Sequence, residues 1–94
     1  MRPAETLKHG TTLTPVVGGF RIRWADGSAA ARVAVRLRRD RSSWLAFVDS
    51  WDGFSWNRDR VIDRPTIAEL ERAVRQYAVS VDEHAYVATG ACHN

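Results

Sequence analysis

The side chains with the most chemistry to offer in this sequence are guanidinium groups. Of its 14 basic residues all but Lys8 are arginine. A guanidinium is a flat, permanently charged fork of donors that matches phosphate and carboxylate and stacks on aromatic rings. A genome rich in G and C also raises arginine content, so the spacing carries more meaning than the number. Arg21 and Arg23 alternate with Phe20, Ile22 and Trp24, while Arg32, Arg36 and Arg38 alternate with Val33, Val35 and Leu37. In an extended strand this period of two sends the arginines to one face and the apolar residues to the other. Two such strands side by side would carry Arg21, Arg23, Arg32, Arg36 and Arg38 as one positive stripe, with Trp44 and Val48 expected beside it. An indole in that place could stack on a base or hold a guanidinium by cation–π attraction. The stripe predicts contact with nucleic acid. The everyday alternative is a solvated face whose arginines pair with Asp26, Asp40 or Asp49.

Other constellations offer less. Trp24, Trp44, Trp51 and Trp56, with Phe47 and Phe54, are mostly expected in the core, because a small domain needs large side chains to stabilise it. Trp51 and Trp56 flank the turn dipeptide Asp52-Gly53, and tryptophans at a loop tip are candidate anchors of a protein interface. Asp49, Asp52, Asp59 and Asp63 lack the tight acidic alternation and sixth-position glycine of a calcium loop, so turn and cap duty is expected of them. His84, Cys92 and His93, with His9 as a distant fourth, match no zinc spacing. No metal or cofactor is expected. Cys92 beside a histidine could act as nucleophile and base, but it lies close to the last residue, where geometry is hard to hold. Gly18-Gly19 stands between two strand-like runs and not between a strand and a helix, as a phosphate loop requires. The sequence predicts no enzyme.

These side chains must be positioned by strands. Thr11 to Val17 is β-branched, with Pro15 confining it to a sheet edge. Gly18-Gly19 predicts a tight hairpin into Phe20–Trp24, and Asp26-Gly27 a second into residues 29–39. That last segment also satisfies a helical stripe through Ala30, Val33, Ala34 and Leu37, but its stricter alternation and its valines predict a strand. Trp44–Trp51 is apolar at successive positions and suits a central strand, with Leu45 and Phe47 expected on the covered face. Asp52-Gly53 then leads into a short Phe54–Trp56 strand, and Arg58 to Arg64 reads as a charged connection. Thr66 with Glu69 makes a capping box. Ile67, Leu70, Val74, Tyr77 and Val81 follow at helical spacing, and a short strand is expected near Tyr86-Val87.

The fold class expected is α+β: an antiparallel meander of four to five strands with one C-terminal amphipathic helix packed on one face. It forms a single domain over residues 11–94, preceded by a flexible arm over 1–10. Composition allows this, with 45% hydrophobic and 27% charged residues in a chain of a size that buries roughly 60–70% of its unfolded surface. Charge is uneven. Residues 1–47 hold nine Lys/Arg against three carboxylates, net +6, and residues 48–94 hold five arginines against eight carboxylates, net −3. Such polarity steers an anionic partner to one side. No apolar run approaches the ~18 residues of a membrane span, residues 1–9 lack the apolar core of a signal peptide, and the single Cys92 cannot form an internal disulfide. A cytoplasmic protein without membrane contact is expected. The functional expectation is therefore a small non-catalytic binding protein, meeting nucleic acid or a nucleic-acid-handling protein through its arginine face. The alternative is a phage or mobile-element accessory protein that inhibits by protein–protein binding. Anti-CRISPR proteins share this size and lack of motifs. A homodimer joined through a sheet edge fits either reading.

Overall fold

The computed structural model describes residues 3–24 and 32–88, with helix side chains given as far as His84. The alternating runs form strands, and the strands pair in the order of the chain. β1 (Glu5–Thr6), β2 (Thr12–Val16), β3 (Gly19–Arg23), β4 (Arg32–Asp40), β5 (Ser43–Trp51) and β6 (Trp56–Arg64) build one antiparallel sheet, and α1 (Ile67–Ala88) follows. The strand reading of the third run holds for residues 32–40. The Asp26-Gly27 turn and residues 29–31 lie outside the described residues, as do Cys92 and His93.

Six strands form where four or five were expected, because both ends of the meander continue the ladder. At the start, Glu5 and Thr6 pair with Leu13 and Thr12, so β2 is an edge only beyond the reach of this short strand, where Pro15 sits. At the end, residues 56–64 are a strand and not a connection. Their charged side chains hid it, since Ile62 is the single buried position among them. The pairing with β5 is a backbone matter, and exposed charges along β6 are what keeps an outer strand from recruiting another chain. The turns also differ in detail. Gly19 belongs to β3, so the first hairpin turns on Val17-Gly18 with Gly18 at φ 79°. The β5–β6 connection is a four-residue loop, 52–55, and not a two-residue turn.

Register in β5 departs from expectation. Trp44, Ala46 and Val48 share the face of Val33 and Val35, and Leu45, Phe47, Asp49 and Trp51 share the face of the arginines. The strand is apolar on both parities, so its own pattern could not choose. The turn chose: Asp40 pairs with Ser43 across Arg41-Ser42, and a turn one residue longer would reverse every side chain.

The helix begins where Thr66 caps it, its hydroxyl accepting from the Glu69 amide at 3.2 Å. Leu70, Ala73, Val74 and Ala78 pack on Leu13, Phe20, Ile22, Val33, Val35, Ala46, Val48 and Ile62. Tyr86-Val87 continue this helix and form no strand. At β6, Tyr77 donates to Asp59 at 2.6 Å and the Arg60 guanidinium lies 4.8 Å from the Tyr77 ring. Burial, with the Asp59 carboxylate second, raises the Tyr77 phenol above its ordinary pKa.

Residues 5–10, expected as an arm, are tied to the domain at three points. Leu7 is buried in the core, Glu5 pairs with Arg75 at 2.6 Å, and the amides of His9 and Thr11 donate to Asp82 at 2.8 and 3.0 Å. Asp82 is fully buried. Burial pushes its carboxyl upward, but the two amide bonds outweigh that and hold it below the ordinary carboxylate value. The folded-state pKa thus lies below the unfolded one. The contribution is whole above about pH 4 and drains away as pH falls through the folded value. Asp82→Ala, which orphans both amides, is expected to cost about 1–3 kcal/mol in urea unfolding. Asp82→Asn should flatten the loss of stability below pH 4.

Gly19 has a different constraint. A Cβ at this position would lie 1.8 Å from the Val35 carbonyl oxygen, a clash with backbone that no rotamer relieves. Gly19→Ala should destabilise by about 1–3 kcal/mol, read as a lower urea midpoint at unchanged m-value.

Candidate nucleic-acid interface

One helix covers one face, and among the described residues no element lies over the other face of the sheet. β3 contributes Arg21 and Arg23 to it, and β4 contributes Arg32, Arg36 and Arg38. Arg23 and Arg32 are direct cross-strand partners, Arg21 faces Ala34, and Arg36 faces Gly19. The five arginines expected to share a face do share it. Arg21, Arg23, Arg36 and Arg38 are exposed. Among the described residues no carboxylate pairs with any of these four, which leaves their charge uncompensated locally.

Trp44 is not part of this face. It lies on the helix side, packed against the core, with the Arg39 guanidinium 5.6 Å from its ring. Val48, expected beside it, is fully buried. The reversed register of β5 brings in other residues. Phe47 sits between two guanidiniums, Arg36 at 5.6 Å and Arg58 at 4.8 Å from its ring. Arg32 lies 5.5 Å from the Trp51 ring. Trp51 in turn meets Trp56, its partner across the β5–β6 pair, at 5.4 Å between centroids and 55° between planes. Leu45 completes the row. Phe47 and Arg58 were beyond sequence reasoning because each depends on pairing register: Phe47 on the β4–β5 turn, Arg58 on the bulge between Val48 and Asp49 that shifts β6 by one residue. That bulge also separates the acids. Arg58 pairs with Asp49 on the open face, while Asp59 turns to Tyr77 on the other.

The loop at the end of the aromatic row is held by Asp52. Its carboxylate accepts from the Ser55 and Phe54 amides at 2.8 Å each and from the Asn57 side chain at 2.8 Å. Those bonds hold the Asp52 carboxyl below its ordinary pKa. The loop so fixed presents Phe54, which is 92% exposed.

The face can therefore offer fixed positive charge on its central strands and aromatic rings along one flank. Among the described residues no group of three or more His, Cys, Asp or Glu side chains could hold a metal ion, and no helix is long and apolar enough to cross a membrane. No family model, curated protein or solved structure matches the chain.

Opposed like charges on adjacent strands cost stability. Arg23→Gln removes one of the exposed cations crowded on this face and is expected to raise stability by about 0.2–1 kcal/mol, with the gain shrinking as salt is added. Thermal unfolding of the variant at two ionic strengths checks this.

Proposed function

We propose that this chain is a small, non-catalytic binding protein of the cell interior whose arginine-bearing sheet face contacts nucleic acid. The observation that carries the reading is the gathering of Arg21, Arg23, Arg36 and Arg38 on one surface of the sheet, each exposed and, among the described residues, without a carboxylate partner. A face that serves only to be solvated has no reason to set like charges side by side, since mixed charges solvate as well and repel less. A polyanion removes the repulsion and releases its own counterions, so the cost in the free protein becomes affinity in the complex. The net charge of +6 on residues 1–47 adds long-range steering toward such a partner.

A second reading, a protein partner engaged by an inhibitor of the anti-CRISPR kind, is favoured by one observation, the exposure of Phe54 at the tip of the loop beside Trp51 and Trp56. The two readings put their binding energy on different residues. Arg21→Glu with Arg36→Glu is expected to abolish binding to a labelled oligonucleotide at low salt while leaving the circular dichroism spectrum unchanged, and Phe54→Ser should leave that affinity within about twofold. For the unaltered protein, log affinity should fall linearly with log salt, with a slope of about −3 to −3.5 if four or five single-strand phosphates are neutralised. A flat salt response, or no association at low ionic strength, removes the nucleic-acid reading.

A further inference from the structure

We infer that the open face takes single-stranded and not duplex nucleic acid, a step that rests on the reading just given. The place of the arginines in the sheet decides it. β3 and β4 are the third and fourth of six strands, so the surface continues on both sides of the stripe. A duplex major groove is roughly 12 Å wide and admits a helix or a two-stranded ribbon. β2 to β5 alone span about 14 Å between their outer axes at the usual strand spacing. The neighbouring strands meet the groove walls before Arg21, Arg23 or Arg36 reaches a base edge. A single strand has no such walls and can lie flat across the sheet.

The aromatic row supplies the second argument. Trp56 is 43% exposed, and its ring is pinned against Trp51, which the Arg32 guanidinium approaches from the neighbouring strand. A ring already held by its neighbours loses little freedom when a base stacks on it. A duplex hides the π-faces of its bases, whereas a single strand offers them, and such stacking is tolerant of sequence. The arrangement places phosphates along Arg21, Arg23, Arg36 and Arg38 and turns bases toward Trp56 on the β5–β6 flank. From Arg32 to Arg38 the strand rises about 20 Å, enough for several nucleotides.

The test uses the full chain and three labelled probes of equal length: oligothymidylate, a mixed-sequence duplex, and an abasic deoxyribose-phosphate strand. Oligothymidylate should bind at least tenfold more tightly than the duplex and quench tryptophan fluorescence. Trp56→Ala should weaken oligothymidylate about 5- to 100-fold, Trp56→Phe should restore most of the loss, and neither should change affinity for the abasic strand. Trp44→Phe, on the opposite face, should leave all three affinities as they were. Duplex binding as tight as that of oligothymidylate, or indifference to Trp56→Ala, overturns the single-strand inference and leaves the arginine face standing. If none of the three probes binds at low salt, both fall together.

Discussion

Everything distinctive about this molecule follows from having one helix for a two-faced sheet. An apolar strand face must be buried, and α1 brings a single stripe to bury it with, Leu70, Ala73, Val74 and Ala78. The small residues matter as much as the large ones. Ala46 on β5 and Ala73 and Ala78 on the helix belong to the same core, and the helix backbone comes nearest to β5 and β6. With that face closed, no described element covers the residues of the other parity, and they are left to water or to a partner. The uncovered surface is thus an unavoidable product of the packing, and its composition is where function can be written.

A helix lying on a sheet also needs fixing along its length, and polar ties do this at the rim of the core. Thr66 fixes the start, Tyr77 with Asp59 fixes the middle against β6, and Asp82 anchors the second half to the loop between β1 and β2. Asp82 is the costliest of these to bury and the most informative. A carboxylate out of water is tolerated because backbone amides from residues more than seventy positions away converge on it, and their donation outweighs desolvation. These two bonds close the fold, joining the β1–β2 loop to the last element.

On the open face the balance differs. Arginines stand opposite or beside one another on β3 and β4, the β5 partners of Arg32 and Arg36 are the rings of Trp51 and Phe47, and the one β5 carboxylate on this face, Asp49, pairs with Arg58. Guanidinium over an aromatic ring keeps its charge while losing some of its water. The rings and the charges therefore make one surface, in which Phe47 and Trp51 hold Arg36 and Arg32 in place without neutralising them. That is a surface prepared for anions that also have flat, stackable groups.

Much of this was legible from residue order alone. The alternation of Arg21 and Arg23 with Phe20 and Ile22, and of Arg36 and Arg38 with Val35 and Leu37, marks both strands and separates arginine from apolar side chains within each, and burial of both apolar sides in one core then puts the arginines on one face. Thr66 and Glu69 likewise mark the helix start through local chemistry. What local pattern could not decide was anything that depends on pairing. β5 is apolar on both sides, so only the length of the Arg41-Ser42 turn put Phe47 and Trp51 outward and Trp44 inward. β1 and β6 exist because a neighbouring strand offers them a ladder, which no hydrophobic period announces. The bulge that sends Arg58 and Asp59 to opposite faces belongs to the pair of strands and to neither alone. Side-chain period is a property of one segment, and register is a property of two, so the arginines could be read from the sequence while the rings beside them waited for the tertiary structure.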